Sequence, residues 1–389
     1  MAKRLTTNNL TDQQRQYLRR PAFTVLGLTE RKILGIILRG DVVTQAAVTR
    51  GMDVSQQTVS RLTSALVDMG LVEVAEKVSE GKRGKPSVVL NLSASAMYSV
   101  GFTIMMDTVS FAAMDFSGSV VFESQASLPT MLPRMVLDTC HSMFSEFLRS
   151  ANTNHEQILG IGVAVTGYFV RGQPGFNTPP GLAEWAFVDI EETFNQEFDL
   201  PVWAENDGNA AAIGESMIGV GRWANSFAYI YLSSGLGGGV VIDGELVRGD
   251  IGNAGEFSGI LPYSVHTHPT LELLRQISCR DGIELENIHE LIEKFDPDWP
   301  SVDEWIHKTQ TAFSIIASAA SAVLDCTAVV LGGRMPRTLA EKLIPHIEFF
   351  SAPRRSFPRP TPRVVPAEAK GEVTAIGAAT LPLRAMYFS

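Results

Sequence analysis

Two segments carry side chains suited to a ligand with several hydroxyl groups. AENDGNAAAIGE (204–215) places the amide of Asn206 beside the carboxylate of Asp207, and GNAGEFSG (252–259) contributes the carboxylate of Glu256. Ionised carboxylates and an amide satisfy hydroxyls through charge-assisted hydrogen bonds. The alternative is that Asp207 caps the helix running from residue 208 and that Glu256 is a solvated surface acid. At Asp207, capping and ligand binding are compatible.

A second set of polar side chains, near the N-terminus, is suited to a nucleic acid. Ser55 is a natural N-cap for a helix predicted over residues 55–69. The buried stripe expected for this helix consists of Val59, Leu62, Leu66 and Met69. Its N-terminal half leaves five polar side chains facing outward: Gln56, Gln57, Thr58, Ser60 and Arg61. These residue types hydrogen-bond to bases and phosphates when a recognition helix enters the major groove.

A basic, glycine-rich loop follows that helix. GKRGKP (81–86) joins two predicted strands and carries Lys82, Arg83 and Lys85, which suit phosphates or a narrow minor groove. With two preceding helices at about 28–40 and 44–51, the order of elements predicts a winged helix-turn-helix domain over residues 1–92. The alternative is an ordinary three-helix packing module with solvated polar faces.

The charge distribution favours an anionic polymer as partner of this first segment. Residues 1–92 hold 14 Lys and Arg against 8 Asp and Glu, a balance of +6, whereas the whole chain has a net charge of −10. The rest of the chain therefore carries −16. A basic module on an acidic body is the pattern that an anionic polymer would select. The alternative is a chance asymmetry, which an excess of +6 alone does not exclude, so the motifs decide.

Composition predicts a folded chain of two or three domains in a reducing compartment. The chain has 389 residues, of which 45% are hydrophobic and 19% charged. Its three cysteines, Cys140, Cys279 and Cys326, form no CxxC pair and suit a cytoplasmic protein. We expect no signal peptide and no membrane partner, since the most apolar helical stretch, 311–324, is too short to span a bilayer.

Beyond Tyr98 the pattern changes to two successive rounds of strands and helices. The first round is expected to include a helix over 133–150 and an apolar strand over 158–165, and the second to begin with the strand PVWAE (201–205). Helical sequence is expected over about 269–295 and 301–325. Two such rounds predict two α/β lobes related by duplication. We expect the first lobe at about 93–200, completed by the closing helix at about 372–389, and the second lobe at 201–371.

Residues from about 25 to 385 resemble a regulator of the ROK family (repressors, open reading frames and sugar kinases). The resemblance is carried by the winged-helix segment, VWAENDGNAAAIGE, LSSGLGGGVVIDGELVRG, GNAGE and LGGRM. It implies an actin-like, two-lobed ATPase fold with a sugar between the lobes. It also implies that Asn206 and Asp207 bind sugar hydroxyls, that Asp207 holds the place of the kinase base, and that Glu256 and Glu272 add contacts.

Departures from the family pattern argue against catalysis. The family's kinases hold phosphate in a DxGGT loop, but here the segment reads GFTIMMDTVS (101–110), with Met105 and Met106 instead of glycines. Methionine side chains would keep the backbone amides away from a phosphate. We therefore expect no enzyme activity and no cofactor, with Asp207 a vestige of the base.

A structural zinc site is not expected either. Family members with zinc carry a histidine after the AGE glutamate and a CxCGxxGC run, whereas here Gly259 takes the histidine position and no cysteine follows. His266 and His268 alone make a poor structural zinc site, so this stretch is predicted to be an exposed loop. The missing histidine also removes an expected sugar contact.

The sequence thus predicts a DNA-binding transcriptional regulator, a repressor of carbohydrate genes modulated by a small sugar-like effector. It is expected to act as a homodimer or a dimer of dimers on a duplex operator. Two alternatives stay open. One is an ATP-dependent sugar kinase with an added DNA-binding domain, and the other is a regulator controlled by a protein partner.

Overall fold

A computed structural model describes residues 25–40, 42–78, 87–350 and 359–388. Residues 1–24 lie outside the described part of the chain, as does the loop with Lys82, Arg83 and Lys85.

Three helices and a small sheet form the N-terminal part. The helices are α1 (Leu28–Arg39), α2 (Gln45–Arg50) and α3 (Gln56–Asp68). The antiparallel strands β1 (Val43–Thr44), β2 (Val72–Val78) and β3 (Ser87–Leu92) lie in the order β1-β3-β2.

The expected stripe on α3 is correct in three of its four positions. Val59, Leu62 and Leu66 are buried, and Ser55 caps the helix by accepting the N–H of Thr58 at 3.2 Å. Met69 was wrongly included, because the helix ends at Asp68 and the Met69 side chain is 46% exposed.

Two five-stranded sheets make up the rest of the molecule. The first contains β4 (Tyr98–Ile104), β5 (Thr108–Asp115), β6 (Val120–Ser127), β7 (Ile158–Val165) and β8 (Val202–Asn206). The second contains β9 (Phe227–Leu232), β10 (Leu236–Ile242), β11 (Glu245–Val247), β12 (Ala328–Gly333) and β13 (Arg363–Pro366). The orders are β6-β5-β4-β7-β8 and β11-β10-β9-β12-β13. Both follow one pattern, antiparallel over the first three strands and parallel thereafter, as a duplication predicts.

One strand belongs to a different sheet from the one expected. The segment placed at the start of the second round forms β8, which pairs in parallel with β7 and closes the first sheet. Helix α5 (Ile190–Phe198) supplies the crossover between these two strands, as a parallel pair requires. The apolar pattern of Val202–Asn206 identifies a buried strand but cannot show which sheet it joins.

The other helices are α4 (Pro133–Ser150), α6 (Asp207–Ile218), α7 (Leu271–Arg280), α8 (Ile288–Glu293), α9 (Pro300–Leu324), α10 (Arg337–Leu343) and α11 (Val373–Met386). The helix expected over about 269–295 is therefore two helices. Gly282 has φ +92° just beyond the end of α7, and the Asn287 side chain caps α8. In the described part of the chain, no helix combines the length and apolar character needed to cross a membrane.

Helix α11 lies against the first sheet and α6 without side chains in between. A Cβ at Gly162 of β7 would collide with the carbonyl oxygen of Ala378. A Cβ at Gly377 would collide in the same way with the carbonyl oxygen of Ala210 in α6. These glycines allow backbones to touch, so the first sheet, α11 and α6 form one tightly packed unit.

Candidate functional site

The candidate site begins where two parallel strands end side by side. Val165, the last residue of β7, lies opposite Asn206, the last residue of β8. Thr166 follows the first strand, and Asp207 opens α6 after the second. Ends of neighbouring parallel strands commonly bring polar side chains together in α/β folds.

The Asn206 amide holds this corner together and donates both of its hydrogens in doing so. Its Oδ1 accepts the N–H of Asn209 at 3.0 Å, which makes Asn206, and not Asp207, the N-cap of α6. Its Nδ2 donates to the carbonyl oxygen of Gly167 at 2.6 Å and to Oδ1 of Asp207 at 3.0 Å. The amide therefore fixes both the start of the helix and the orientation of the neighbouring carboxylate.

Asp207 is a buried carboxylate in a ring of donors. Its Oδ2 accepts from the Thr166 hydroxyl at 2.7 Å, and its Oδ1 accepts the N–H of Gly208 at 2.9 Å. Only 6% of the residue is exposed. Burial raises the pKa of Asp207 to about 6, although the hydrogen bonds from Thr166, Gly208 and Asn206 oppose that shift. Such a carboxyl exchanges its proton near neutral pH.

Glu256 lies in a turn that packs onto the second sheet. Gly255 has φ +101°, and a Cβ there would lie 2.7 Å from the Cα of Gly239 in β10, so only glycine lets the turn approach the strand. Burial, and after it the charge of Asp207, raises the pKa of Glu256 to about 7. The structure therefore brings these two carboxyls within electrostatic range. In the described part of the chain, the Glu256 carboxylate has no hydrogen-bond or ion-pair partner.

Glu272, by contrast, is engaged by its own helix. Arg275 donates to Oε2 at 2.8 Å and to Oε1 at 2.7 Å, and Gln276 donates to Oε1 at 3.0 Å. The hydrogen bonds from Arg275 lower the pKa of Glu272, and neither Asp207 nor Glu256 contributes to that shift. A ligand at this carboxylate would have to compete with a bidentate arginine.

Several residues that support the site were not singled out from the sequence. Glu205 is completely buried, accepts the N–H of Asn206 and the Nδ2–H of Asn209 at 3.0 Å each, and forms an ion pair with Arg248. Asn209 also donates to the carbonyl oxygen of Gly252 at 3.2 Å, which ties α6 to the Glu256 turn. A charged residue at the end of an otherwise apolar strand was the available signal for Glu205.

The turn between β4 and β5, where the sequence lacks a glycine pair, is bound to the second sheet. Met105 is buried, and Met106 packs against Gly181 so closely that a Cβ there would collide with its methyl group. Asp107 accepts from Nη1 of Arg334, just beyond β12, at 2.8 Å. Its Oδ2 lies 3.4 Å from the backbone N–H of His289, which donates to it.

The candidate DNA-contacting residues of α3 lie mostly on the surface. Gln56, Gln57, Ser60 and Arg61 are exposed. Thr58 is half-buried, and its hydroxyl lies 2.9 Å from that of Ser55. The first turn of α3 thus presents polar side chains to solvent on the face opposite its buried stripe.

The loop that follows Glu256 holds its histidines apart from any carboxylate or thiol cluster. The His268 ring stacks on Tyr263 with centroids 3.6 Å apart, and its Nε2 donates to the carbonyl oxygen of Leu261 at 2.9 Å. Tyr263 is 82% exposed. Among the described residues, no group of three His, Cys, Asp or Glu side chains is arranged to hold a metal ion.

Comparison with known proteins connects this geometry to one family. Residues 100–268 match the model of the ROK family. The uncharacterised protein y4fQ of Sinorhizobium fredii is 27% identical over 372 residues, covering 95% of this chain and 94% of its own. The xylose repressor of Bacillus spizizenii is 28% identical over 230 residues, and the match spans 59% of each chain.

Two solved structures share the fold. One is a ROK family transcriptional regulator described as a homologue of the E. coli MLC protein, with a TM-score of 0.62 and 17% identity, covering 92% of this chain and 96% of its own. The other is a ROK family glucokinase from Streptomyces griseus in complex with glucose and AMPPNP, with a TM-score of 0.60 and 20% identity, covering 73% of this chain and 98% of its own. The two-sheet body therefore has the actin-like fold of ROK sugar kinases.

Proposed function

We propose that this chain, which belongs to the ROK family, is a transcriptional repressor of carbohydrate genes that binds operator DNA and is modulated by a sugar. The single observation that carries the proposal is that the candidate ligand site is kept while the turn between β4 and β5 is filled by side chains. The candidate ligand set of Asn206, Asp207 and Glu256 is intact, with Asn206 and Asp207 buried and Glu256 half-buried, whereas the turn at Met105–Asp107 is filled and bound to Arg334.

The DNA-binding part of the proposal rests on α1–α3 and the sheet β1-β3-β2. Helix, turn, capped helix and a two-stranded extension follow the order of a winged helix-turn-helix. The exposed side chains of Gln57 and Arg61 would meet base edges in the major groove, and the basic loop at 81–86 would meet phosphates. We propose the domain division at residue 92 on this basis, with a homodimer or dimer of dimers reading a two-fold site.

The sugar-binding part rests on free acceptor capacity. Oδ1 of Asp207 already accepts from Gly208 and Asn206, but its Oδ2 accepts the Thr166 hydroxyl and keeps a further lone pair. The Glu256 carboxylate has no partner in the described residues, and Arg248, a cation at this corner, is already paired with Glu205. A ligand that donates several hydrogen bonds, as a sugar does, matches such a site. The xylose repressors among the relatives make D-xylose the first sugar to test.

A sugar kinase is the second candidate, because Asp207 has the properties of a general base. It is buried, its pKa is raised to about 6, and it would accept the proton of an attacking hydroxyl. The glucokinase match keeps this reading open. Against it stand Met105 and Met106, whose side chains occupy the place of glycines that would let the backbone amides approach a phosphate.

One experiment separates these readings. Duplexes selected from a randomised library with the full chain should bind with a strong salt dependence, and D-xylose or D-glucose should change that affinity. The same preparation should not consume ATP in the presence of either sugar. Steady ATP turnover would favour the kinase, and DNA binding that responds to no sugar would favour control by a protein partner. Failure to select any duplex would overturn the proposal.

A further inference from the structure

Helix α1 of the N-terminal part is anchored on the body by one buried arginine. Nη2 of Arg31 donates to the carbonyl oxygens of Arg384 at 2.6 Å and of Phe388 at 2.9 Å. These carbonyls lie at the C-terminal end of α11, where a cation complements the helix dipole. Arg31 is 4% exposed, although most arginines lie at the surface.

The helix that Arg31 holds is in backbone contact with the helix that carries the candidate ligand site. Gly377 of α11 meets the carbonyl oxygen of Ala210, and a Cβ at Gly214 would lie 2.9 Å from the Cα of Gly377. No side chain lies between α6 and α11 at this crossing, so a displacement of one must displace the other. Helix α6 starts at Asp207, about 18 Å from its opposite end.

The far end of α6 reaches the same junction. Ser216 donates to the carbonyl oxygen of Gly244 at 3.2 Å, and Arg384 donates to that oxygen at 3.3 Å. Met217 lines a small gap together with Gly35 and Leu38 of α1. The ends of α6 and α11 and one face of α1 thus meet at the β10–β11 turn.

The junction holds more positive than negative charge. Arg384 pairs with Glu245 at 2.8 Å, and that carboxylate also attracts Arg31, while the two guanidinium groups repel each other. Burial lowers the pKa of Arg31, and its Nε is buried without a hydrogen-bond partner among the described residues. A buried cation that is only partly satisfied is costly, so small movements at the end of α11 change the stability of this contact substantially.

We infer that Arg31 is the positioning residue that couples ligand occupancy at Asp207 to the placement of the N-terminal helices. This inference rests on the proposed function. A ligand that shifts the start of α6 moves α6 and α11 together and alters the fit between Arg31 and the two carbonyls. The two N-terminal parts of a dimer are then presented to DNA at a different spacing.

The test compares Arg31→Met with Arg31→Lys and with Lys32→Met, an exposed neighbour on the same helix. Arg, Lys and Met have similar helix propensities, so α1 itself is preserved in all three variants. In the parent, D-xylose or D-glucose should change DNA affinity by a factor in the range of about 5 to 150. Arg31→Met should reduce that factor to less than about 2, Arg31→Lys should give an intermediate value, and Lys32→Met should keep the parent factor.

Two further measurements keep the outcome clear. Calorimetry without DNA should show that Arg31→Met still binds sugar, since no ligand contact is removed, with an affinity that differs from the parent's by no more than the lost coupling factor. Hydrogen exchange on the parent should show that sugar alters protection in Leu28–Arg39 and at residues 383–388, which tests the inference even if Arg31→Met does not fold. A full sugar response in Arg31→Met, or unchanged protection in the parent, would overturn the inference alone. A parent that responds to no sugar would overturn the proposed function with it.

Discussion

Asp107 and Arg334 form an ion pair that joins the turn between β4 and β5 in the first sheet to the end of β12 in the second. The distance from Nη1 to Oδ1 is 2.8 Å, and the two side chains are 16% and 5% exposed, respectively. The pair fixes the β4–β5 turn to the segment after β12. The proposal that this chain binds a sugar without phosphorylating it depends in part on this contact.

Arg334→Met should lower the free energy of unfolding by about 3 kcal/mol, because it leaves the Asp107 carboxylate without its partner. Asp107→Asn combined with Arg334→Met should recover part of that loss. Arg134→Met, in an ion pair whose side chains are 74% and 57% exposed, is the matched control and should change stability by less than about 1 kcal/mol. Urea unfolding measures all three, and equal losses for Arg334→Met and Arg134→Met would contradict the prediction.

Asp207→Asn should stabilise the protein in a pH-dependent way. Because the folded-state pKa of about 6 exceeds the ordinary value of 3.8, the folded parent binds more protons than the unfolded chain between these values. The parent therefore loses stability as pH rises through that window, and the asparagine variant does not. The difference in unfolding free energy between variant and parent should grow by about 2 to 3 kcal/mol from pH 4 to pH 7. A difference that stays constant across this range would refute the assignment.

Sugar affinity should rise between pH 5 and pH 8. The pKa values of about 6 for Asp207 and about 7 for Glu256 place both ionisations in this interval, and the ionised carboxylates are the stronger acceptors. Glu256→Gln should weaken binding and remove the upper part of the rise. Isothermal calorimetry with D-xylose or D-glucose across the interval measures both effects. An affinity that falls with pH would show that the protonated carboxyls bind the sugar instead.

Gly377→Ala should be strongly destabilising, by roughly 2 to 4 kcal/mol, because the new methyl group would collide with the carbonyl oxygen of Ala210. Gly235→Ala provides the control, since a Cβ at that position meets nothing within 4 Å. Thermal unfolding should separate the two variants clearly. Comparable melting temperatures would mean that α6 and α11 can move apart at little cost.

Arg61→Ala and Gln57→Ala should weaken binding to the selected duplex by about 1 to 3 kcal/mol and relax its sequence preference at one position each. Replacing Lys82, Arg83 and Lys85 together by Ala should instead weaken binding to every duplex. It should also reduce the steepness of the salt dependence by up to about 3 in the logarithmic slope. Fluorescence anisotropy at several salt concentrations distinguishes the two classes. If the triple variant of the basic loop binds DNA like the parent, the loop is not part of the DNA interface.

Local pattern predicted most individual elements well. The helix over 133–150 and the strand over 158–165 have the bounds expected from their apolar periodicity, and Ser55 caps its helix as its residue type suggests. The sheet to which each strand belongs was predicted less well than the strands themselves. The strand Val202–Asn206 joins the first sheet, because a buried strand looks alike in either sheet and only the crossover through α5 decides. The break at Gly282 was missed because apolar residues continue on both sides of it.

In the candidate site too, contacts between residues close in sequence were predictable and contacts that depend on the fold were not. Asn206 and Asp207 adjoin in sequence, so their proximity needed no structure, and the AGE turn supplied Glu256. The contact of the Thr166 hydroxyl with Asp207 could not be predicted from the sequence, because it depends on β7 and β8 being neighbours. The sequence also does not show that the Glu272 carboxylate already accepts two hydrogen bonds from Arg275, three residues later in the same helix.

The Asn206 side chain makes several contacts at once, and this affects how the ligand preference of the site can change in evolution. The amide caps α6, tethers Gly167 and orients Asp207 at once. A substitution there would disturb all three contacts at once, so we expect it to lower folding stability whatever its effect on the ligand. Glu256 stands in a short turn, and its carboxylate bonds to nothing else in the described chain. New effector preferences should therefore arise first at Glu256 and its turn, while the corner built on Asn206 is inherited unchanged.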